Sequence, residues 1–384
     1  MTRVRRALAA VVVAALVGAA SACTSSAPPQ PVPPPASRTP VPSASPTAPE
    51  TAEGWWAPQG APETLATGLR SPWSVVPLET GGALISQRDD GRIIELMPSG
   101  ELREAGVVPG VVAGGEAGLH GLALHDEGGT RWLYAYHGAS DDNRVVRMPV
   151  TGDPGALALG APEVVFAGIA RAGNHNGGRI AFGPDDMLYV TTGDAANGDS
   201  SQDPNSPNGK ILRLTPDGDA APGNPLGNAV WSLGHRNVQG IAWTADGTMW
   251  ASEFGQNSWD ELNLIEPGGN YGWPIVEGVG GDGRFVEPIA TWRTSEASPS
   301  GIASVGDTVF VAGLRGSRLW IVDTVAGAAA HDPTAALVGE QGRLRDVVAA
   351  PDGSLWVLTN NTDGRGSPRP EDDLLLRLPI APAG

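Results

Sequence analysis

The sequence predicts an all-β protein, a six-bladed β-propeller built from four-stranded antiparallel blades. Three observations lead to this prediction. The chain of 384 residues holds 53 glycines and frequent Asp-Gly turns, and it shows no convincing helical period. Short apolar strands recur in six similar groups, with turns such as PDG, ADG and PDD at matching places. Radially packed blades bury both faces of their strands, which explains the apolar residues on both sides of many strands.

Each group contains three recognisable strands. The first strands are WSVVPL (73–78), GLALH (121–125), GRIAFG (178–183), QGIAWT (239–244), SGIASV (300–305) and RDVVAA (345–350). The second strands are ALISQR (83–88), WLYAYH (132–137), MLYVTT (187–192), MWASEF (249–254), VFVAGL (309–314) and LWVLTN (355–360). The third strands are RIIEL (92–96), RVVRM (144–148), KILRL (210–214), ELNLI (261–265), RLWIV (318–322) and LLLRL (374–378). A pair of β-sandwiches, the competing interpretation, does not predict six aligned triplets.

The segment ETLATGL (63–69) has no triplet of its own. It precedes the first group. We therefore expect it to supply the outer strand of the last blade and so to close the ring.

Residues 1–22 predict a lipoprotein signal peptide. Three arginines form a basic start, an apolar run extends from Ala7 to about Val17, and small residues close the segment. The run is too short and too rich in small residues for a comfortable membrane span. Cys23 follows directly and is the only cysteine of the chain, as expected for an acylated N-terminal residue. The alternative is an ordinary secreted protein with an incidental cysteine.

Residues 23–54 predict an acylated cysteine followed by a disordered tether. Residues 24–54 hold ten prolines with Ser, Thr and Ala, and almost no large apolar side chains. Such a segment cannot bury enough surface to fold, and its prolines keep it extended. We therefore expect residues 55–384 to form the propeller, held at the outer face of the cell membrane by the lipid anchor alone.

The propeller region is strongly acidic. Residues 55–384 hold 21 Lys and Arg against 40 Asp and Glu, a formal net charge of −19. This charge argues against nucleic acid as a partner and fits a small neutral substrate. An anionic ligand would need a local cluster of arginines to overcome the global field.

Unusual polar residues gather at the loops that lead to the inner strands. They are Glu116, His175, His235, Arg236, Asn237, Arg315, Arg343 and Arg345. Four arginines on one axis of an acidic protein are costly unless an anion neutralises them, and guanidinium groups bind carboxylates bidentately. The alternative is a set of salt bridges between blades. His235 is interpreted as a brace for its loop. Structural or surface roles are expected for His120, His125, His137 and His331.

Three long sequence runs carry a family resemblance. They are NHNGGRIAFGPDDMLYVTTGD (174–194), GHRNVQGIAWTADGTMWASEFGQNSWDELNLIEPGGNYGWP (234–274) and GRLRDVVAAPDGSLWVLTN (342–360). These runs resemble the soluble quinoprotein sugar dehydrogenases, the glucose/sorbosone dehydrogenase family, which includes the bacterial aldose sugar dehydrogenases. The resemblance covers essentially the whole propeller, and HRN followed by E-x-G and GGNYGWP is its most specific part. The family fold is a six-bladed propeller, in agreement with the strand repeat.

The resemblance implies oxidation of aldose sugars at C1 to the lactone, with pyrroloquinoline quinone (PQQ) and Ca²⁺ as cofactors. His175 stands where the family has its catalytic base, Asp194 matches the carboxylate that orients it, and Arg236 matches the residue that stabilises developing negative charge. The positions matched to PQQ contacts are Glu116, His175, Arg236, Asn237, Arg315, Arg343 and Arg345. The positions matched to calcium ligands are Gly255, Gln256, Glu261 and Tyr271.

The sequence departs from the soluble glucose enzyme of this family at three of these positions. Arg315 replaces a lysine, which preserves the charge. Gln256 replaces a proline, a change that a backbone ligand tolerates. Glu116 replaces a glutamine, and an acid beside an anionic cofactor is expected to be either protonated or directed at an arginine.

The chemistry of the residues agrees with these implications. PQQ is a tricarboxylate, which would answer the need for an anion among the arginines. Calcium prefers hard oxygen ligands, including main-chain carbonyls, and would act as a Lewis acid on the quinone. A histidine backed by a carboxylate is a general base suited to neutral pH, and the cofactor would carry the redox step.

Two other functions remain open at the level of the sequence. Calcium-dependent lactonases and esterases also use six-bladed propellers, but they need inward carboxylates around the metal. A propeller that binds a glycan without chemistry is the second alternative, and an intact His175, Asp194 and Arg236 argue against it. The short loops between blades predict an open site with broad aldose tolerance. The electron acceptor is not indicated.

Overall fold

The computed structural model describes residues 55–325, 327–329 and 331–383. The predicted signal peptide, the acylated Cys23 and the tether lie outside the described residues and stay predictions. In the described part of the chain, no helix combines the length and the apolar character that crossing a membrane requires.

The strands of the first half of the chain form the first three blades. Before them come β1 (Trp56–Pro58) and β2 (Glu63–Ala66). Blade 1 contains β3 (Pro72–Pro77), β4 (Ala83–Gln87), β5 (Arg92–Leu96) and β6 (Leu102–Val107). Blade 2 contains β7 (Leu119–Glu127), β8 (Thr130–Gly138), β9 (Asn143–Thr151), β10 (Ala158–Leu159) and β11 (Glu163–Ile169). Blade 3 contains β12 (Ile180–Phe182), β13 (Leu188–Thr191), the one-turn helix α1 (Asp199–Gln202), β14 (Lys210–Leu214) and β15 (Val230–Leu233).

The remaining strands form blades 4 to 6. Blade 4 contains β16 (Val238–Trp243), β17 (Met249–Glu253), β18 (Trp259–Leu264) and β19 (Ala290–Arg293). Blade 5 contains β20 (Pro299–Val305), β21 (Thr308–Gly313), β22 (Arg318–Val325), β23 (Ala328–Ala329) and β24 (Thr334–Ala336). Blade 6 contains β25 (Leu344–Ala349), β26 (Leu355–Thr359) and β27 (Leu375–Leu378), and β28 (Ile380–Pro382) ends the series.

Each blade is an antiparallel sheet in which the first strand of the predicted triplet is innermost. The inner strands contact one another around the axis, for example β16 with β20 and β20 with β25. Gly240 on β16 permits this approach, because a Cβ atom there would meet the backbone carbonyl of Ser300 on β20. The six-bladed β-propeller predicted from the repeat is therefore confirmed.

The apolar core is divided among the seams between blades. In the described residues, one hydrophobic cluster fills each seam between neighbouring blades. In the seam between blades 6 and 1, for example, Val75 and Ile85 pack with Trp356 and Leu358. Each blade thus buries both faces, as the apolar residues on both sides of the strands predicted.

The N-terminal strand β2 closes the ring by joining blade 6. Glu63 pairs with Arg377 and Thr64 with Leu376 on β27, in antiparallel register. The segment 63–69 therefore supplies the outer strand of the last blade, which confirms the prediction. Strand β1 pairs with β28 outside the blades.

A β-bulge marks the start of most inner strands. The innermost hairpins shift register between Pro72 and Val75, Leu119 and Leu122, Val238 and Gly240, Pro299 and Ile302, and Leu344 and Asp346. A bulge inserts an extra residue and re-aims its side chain. Trp73, Gln239 and Arg345 lie at three of these bulges, and all three side chains line the cavity described next.

Candidate active site

A cavity of about 420 Å³ opens at the end of the propeller where the inner strands begin. Arginines dominate its wall, namely Arg88, Arg236, Arg315, Arg343, Arg345 and Arg365. The carboxylates among its described lining residues are Glu116 and Asp260. The wall is therefore cationic, although the whole chain has a formal net charge of −17.

Arg345 is the most deeply buried arginine of this wall. Its Nη1 donates to Oε1 of Gln239 at 2.9 Å and to Oγ of Ser300 at 3.4 Å. Its guanidinium carbon lies 5.7 Å from the centroid of the Trp73 ring. Burial lowers the pKa of Arg345, and this cost of desolvation is reduced when an anion is close.

Asp363 is shared by two of the arginines. Its Oδ2 lies 3.0 Å from Nη2 of Arg343 and 3.7 Å from Nη2 of Arg345. Burial alone would raise the pKa of Asp363, but these two guanidinium groups hold it below its ordinary value. One carboxylate therefore faces two cations, and salt bridges neutralise the predicted arginine cluster only in part.

Several arginine donors in the wall lack a protein partner. Within the described residues, the buried Nε atoms of Arg236, Arg343 and Arg345 have no hydrogen-bond acceptor. Arg315 is exposed at the rim, and no described carboxylate lies within salt-bridge distance of it. Buried donors without acceptors are rare in proteins, so they indicate a site for an anionic or oxygen-rich ligand.

His175 stands in the same wall with Asp194 behind its ring. Nδ1 of His175 lies 2.7 Å from Oδ1 of Asp194. The other carboxylate oxygen accepts the indole N–H of Trp273 at 2.8 Å, and the amide of Ala196 donates to Oδ1 at 2.8 Å. Burial would raise the pKa of Asp194, but the hydrogen bonds from His175, Trp273 and Ala196 hold it below its ordinary value. Asp194 is thus an ionised acceptor for the imidazole.

Arg236 contacts the other ring nitrogen of His175. Its Nη2 lies 2.8 Å from Nε2 of His175, and its Nη1 donates to the carbonyl of Gly255 at 2.7 Å. A guanidinium can only donate, so Nε2 accepts and carries no proton. Nδ1 therefore carries the proton and donates to Asp194, and the lone pair of Nε2 accepts from Arg236 at 2.8 Å and from Nδ2 of Asn174 at 3.1 Å. This is the protonation pattern of a general base.

The loop that carries Arg236 is braced by His235. This side chain is fully buried, with Nδ1 2.9 Å from Oε2 of Glu253 and Nε2 2.8 Å from Oγ of Ser232. The other oxygen of Glu253 accepts the backbone N–H of Arg236. His235 thus supports the loop rather than the cavity, as the sequence indicated.

Asn237 lies behind the wall rather than in it. Its Oδ1 accepts the backbone N–H of Gly177 at 2.9 Å, and its Nδ2 is buried without a partner among the described residues. It is absent from the described lining of the cavity. The geometry gives Asn237 a role in shaping the loop of His175, and its predicted contact with PQQ stays a prediction.

Glu116 contacts the backbone of His175 and a second arginine. Its Oε2 accepts the backbone N–H of His175 at 2.9 Å. Its Oε1 lies 3.4 Å from Nη2 of Arg365. Of the two expectations for this acid, the structure supports the one in which it is directed at an arginine.

The two predicted calcium ligands on the loop after β17 lie at the cavity. Gly255 and Gln256 line it, and their loop is held by Glu277. Oε1 of Glu277 accepts the backbone N–H groups of residues 256–259 at 2.6–3.2 Å. The carbonyl of Gly255 already receives the guanidinium of Arg236, so this carbonyl faces a cation.

The other two predicted calcium ligands lie apart from the large cavity. Glu261 and Tyr271 border a small space of about 10 Å³ together with Glu253 and Glu277. Burial and the nearby Glu253 raise the pKa of Glu261 to about 8. The hydroxyl of Tyr271 donates to the carbonyl of Leu264 at 2.7 Å. In the described part of the chain, no group of three or more His, Cys, Asp or Glu residues is arranged as a metal site.

A second, open cavity of about 550 Å³ meets the first at His175. Both are lined by His175, Arg236 and Gln256. The second is also lined by Asn174 and by the ring of Trp273, and its further described lining residues are Asp194, Ala196, Gly198, Asp199 and Pro274. It thus offers hydrogen-bonding groups and one aromatic face beside the imidazole.

His120 and His125 do not contact the imidazole of His175. His120 is buried between Trp73 and Tyr136, at centroid distances of 4.9 and 5.8 Å, and burial lowers its pKa to about 3. His125 stacks on Phe182 at 4.1 Å. These contacts match the structural roles expected from the sequence.

Several residues of the site were not singled out from the sequence. Arg88 and Arg365 in the wall, Asp363 between the arginines, and Trp73 and Asp260 in the lining are the main ones. Arg88 ends the predicted strand ALISQR (83–88), and its charge at this strand end was the available signal. Arg365 and Asp363 lie in the long loop between β26 and β27, where no repeat sets the register.

Comparison with known proteins agrees with the fold. The sequence profile of the family described as Glucose / Sorbosone dehydrogenase matches residues 69–377. The PQQ-bound form of aldose sugar dehydrogenase from Streptomyces coelicolor is similar in structure, with a TM-score of 0.80 and 50% sequence identity, over 85% of this chain and 100% of that chain. Quinoprotein glucose dehydrogenase B of Acinetobacter calcoaceticus is 34% identical over 258 residues, 58% of this chain and 54% of that protein. An aldose sugar dehydrogenase of Escherichia coli K12 is 29% identical over 343 residues, 79% of this chain and 90% of that protein.

The matched profile begins at the ring-closing segment and ends in the outer part of blade 6, so it spans nearly the whole propeller. His175, Asp194, Arg236 and the arginine-lined cavity all lie inside it. This protein therefore belongs to the glucose/sorbosone dehydrogenase family and is an oxidoreductase.

Proposed function

We propose that this protein oxidises aldose sugars at C1 to the lactone, with PQQ and Ca²⁺ as cofactors and His175 as the general base. One observation carries the proposal. His175 and Arg236 lie where a cavity lined by arginines meets an open polar cavity. An anionic cofactor fits the first cavity, and a neutral sugar fits the second, so the unprotonated Nε2 stands at their junction.

The cofactor part rests on the unpartnered donors of the arginine-lined cavity. Three buried Nε–H groups, on Arg236, Arg343 and Arg345, lack acceptors among the described residues, and the carboxylates of a tricarboxylate would supply them. The exposed Arg315 would add a fourth contact at the rim. When bound, PQQ supplies the acceptor for the two electrons that leave the sugar.

The base part rests on the hydrogen bonds of the His175 ring, which contacts Asp194 through Nδ1 and Arg236 and Asn174 through Nε2. Once these donors are displaced from Nε2, it can take the proton of the C1 hydroxyl, and Asp194 stabilises the imidazolium that results. Once Nε2 carries a proton it can no longer accept from Arg236. The guanidinium is then free to stabilise negative charge elsewhere in the cavity.

The calcium part rests on oxygen donors at the loop after β17. Gly255 and Gln256 would offer backbone carbonyls, and Asp260 adds a carboxylate to the same wall. Burial raises the pKa of Asp260 to about 6, and its Oδ1 accepts the N–H of Gly255 at 2.9 Å. These donors suit Ca²⁺ but do not enclose it, so we expect the ion to need oxygens of the cofactor as well. Calcium should then bind far more weakly to the PQQ-free protein than to the PQQ-loaded protein in calorimetric titrations.

The substrate part rests on the second cavity. Asn174, Asp199 and Gln256 offer hydrogen bonds to sugar hydroxyls, and the half-buried ring of Trp273 offers a face for C–H groups of the sugar. The cavity is open, which supports a broad tolerance for aldoses. Replacing Asp199 with Ala should raise KM for aldoses and leave PQQ binding unchanged.

One experiment separates the proposal from its alternatives. The purified protein is loaded with PQQ and calcium, and dye reduction is followed with a panel of aldoses. Turnover that is lost in His175→Ala, while PQQ stays bound, supports the dehydrogenase. Absence of dye reduction with every aldose, together with absence of tight PQQ binding, rejects it. Hydrolysis of a sugar lactone with calcium alone would indicate the lactonase, and glycan binding without turnover the binding propeller.

We also propose that the enzyme is anchored at the outer face of the cell membrane through Cys23. The proposal rests on the basic start, the apolar run and the position of the only cysteine in the sequence. Cys23→Ser should move dehydrogenase activity from the membrane fraction to the soluble fraction. Activity that remains soluble in the wild type would contradict the anchor.

A further inference from the structure

The backbone of His175 has an unusual conformation. Its φ angle is 56°, in the left-handed region that residues with side chains seldom adopt. Such a conformation is strained and persists only where the surroundings enforce it. The groups that hold this backbone therefore also fix where the imidazole lies.

Hydrogen bonds from other elements hold the loop on both sides of His175. Asn237 accepts the N–H of Gly177 at 2.9 Å, and the carbonyl of Thr191 accepts the N–H of Gly178 at 2.9 Å. The carbonyl of Asn176 accepts the hydroxyl of Tyr136 at 2.7 Å. The N–H of His175 itself donates to Oε2 of Glu116 at 2.9 Å. Glu116 is thus the charged member of this set of contacts.

Glu116 contacts the loop of His175 at two points. Its backbone N–H donates to the carbonyl of Gly173 at 2.9 Å, and its carboxylate accepts the N–H of His175. Its own carbonyl lies 2.8 Å from Nε2 of the buried His120. These contacts fix the main chain of Glu116, and its side chain connects this fixed main chain to the backbone of His175.

Arg365 orients the free oxygen of this carboxylate. It reaches Glu116 from the loop between β26 and β27, with Nη2 3.4 Å from Oε1. The backbone N–H of Arg365 donates to Asp363 at 2.9 Å, and Asp363 also faces Arg343. One carboxylate oxygen of Glu116 is therefore held by Arg365 of blade 6, and the other accepts the backbone N–H of His175.

We propose that Glu116 is a positioning residue for the catalytic base, acting by accepting the backbone N–H of His175 and so holding His175 in its left-handed conformation. This inference rests on the proposed function, because it assigns His175 the role of base. It differs from a role for Glu116 as an acid or as a ligand contact. To hold His175, the side chain at position 116 must place an accepting oxygen within hydrogen-bond distance of the His175 N–H, but it need not carry a negative charge.

Three substitutions at one position test this requirement. Glu116→Gln keeps an accepting oxygen at the same reach, Glu116→Asp keeps the charge but shortens the reach, and Glu116→Ala removes both. We expect kcat to fall roughly 10- to 100-fold for the Asp and Ala variants, since small displacements of a base cost this much. The Gln variant should recover most of the wild-type kcat. KM and the Kd of PQQ should change less than about threefold in all three, as expected for a loss confined to the chemical step.

A second readout does not depend on turnover. Hydrogen exchange of the His175 amide, followed in the ligand-free protein, should quicken roughly 10- to 100-fold in the Asp and Ala variants, because no oxygen at position 116 then accepts this N–H. The Gln variant should stay protected. Glu104→Ala is the matched control, because Glu104 is an exposed carboxylate that pairs with Arg92 at 3.1 Å outside the cavity.

The outcomes separate the inference from its alternatives. A Gln variant as slow as the Ala variant would show that the charge is needed and would overturn the inference. A slow Ala variant with an unchanged His175 amide would overturn it as well. If the wild type reduces dye with no aldose, the proposed function fails, while amide exchange still decides whether Glu116 holds the loop.

Discussion

The carboxylate of Asp194 lies 2.7 Å from Nδ1 of His175, and every other contact of that carboxylate is also with a donor. The indole of Trp273 donates to one oxygen and the amide of Ala196 to the other, both at 2.8 Å. Asp194 is only 2% exposed, so water does not replace these donors. The carboxylate of Asp194 is therefore fixed in orientation, and it sets the tautomer of His175.

Replacing Asp194 with Asn tests this arrangement. An amide offers one acceptor oxygen and two N–H groups, so at least one of the surrounding donors would face another donor. We expect kcat to fall roughly 10²- to 10⁴-fold, as for other buried carboxylates that orient a catalytic histidine. The Kd of PQQ should stay within about threefold, since the arginines are untouched.

Asp185→Asn serves as the control for this substitution. Asp185 is an exposed carboxylate in a turn between β12 and β13, paired with Arg213 at 2.7 Å. The Asp185→Asn substitution should leave kcat unchanged. A wild-type kcat in the Asp194 variant would mean that His175 is not the base.

The same carboxylate should make stability depend on pH in the acid range. Hydrogen bonds hold the pKa of Asp194 below its ordinary value even though burial opposes this. A carboxyl with a lowered pKa in the fold stabilises it above the unfolded pKa of about 3.9, and the contribution is lost as the pH falls through the folded value. The free energy of unfolding should therefore differ between wild type and Asp194→Asn at about pH 6, and this difference should shrink below about pH 3. Urea unfolding at both pH values measures it, and a difference independent of pH would contradict the assignment.

The arginines of the cavity should contribute unequally to the affinity for PQQ. Arg345 is buried and bonded to Gln239, while Arg315 is exposed at the rim. Arg345→Met should raise the Kd of PQQ roughly 10- to 150-fold, as expected for a buried charged hydrogen bond. Arg315→Met should raise it less than about fivefold, because water screens an exposed charge. Both values come from titrating the cofactor-free protein with PQQ.

A matched arginine outside the cavity controls for the loss of charge alone. Arg213 pairs with Asp185 at 2.7 Å, and Arg213→Met removes the same net charge. It should leave the Kd of PQQ unchanged. Equal effects of the Arg213 and Arg345 variants would mean that the global charge, and not the cavity, governs binding.

Most of the fold could be predicted from the sequence because the repeat is local. Inner strands such as 300–305 and 239–244 lie within about one residue of β20 and β16. Their apolar residues face the seams, and turns that contain Gly and Asp follow them, at Gly306-Asp307 and Asp246-Gly247. The outer strands, such as β6 and β24, escaped individual prediction because most of their residues are at least partly exposed, so alternation between buried and exposed residues is weak there.

Site residues that lie in long, specific sequence runs could be predicted. Site residues that only the folding of distant segments brings together could not. His175, Asp194 and Arg236 lie in such runs, and the structure brings them within hydrogen-bond distance of one another. Arg365 reaches Glu116 across a separation of 249 residues in the sequence, from a loop of irregular length. The bulge that turns Trp73 into the cavity depends on register, which hydrophobic pattern alone does not fix.

The closure of the ring gives a last prediction, centred on Leu69. Leu69 and Asp373 exchange both of their backbone hydrogen bonds, at 3.1 and 3.0 Å, so the N-terminal segment is tied to blade 6 just beyond β2. Leu69 is 1% exposed, and it packs in the cluster between blades 6 and 1. Leu69→Ala should lower the free energy of unfolding by about 2–5 kcal/mol, the range for a fully buried leucine. Urea unfolding gives this value.

Leu65→Ala is the matched variant for this prediction, because Leu65 lies on β2 itself but is only half-buried against the same cluster. Since less apolar surface is lost there, its cost should stay below about 1.5 kcal/mol. If the two variants cost the same, the strand as a whole and not the Leu69 contact would close the ring. If Leu69→Ala costs less than about 0.5 kcal/mol, the range of ordinary surface changes, the N-terminal segment would add little to the propeller, and blade 6 would have to be stable with β27 as its edge.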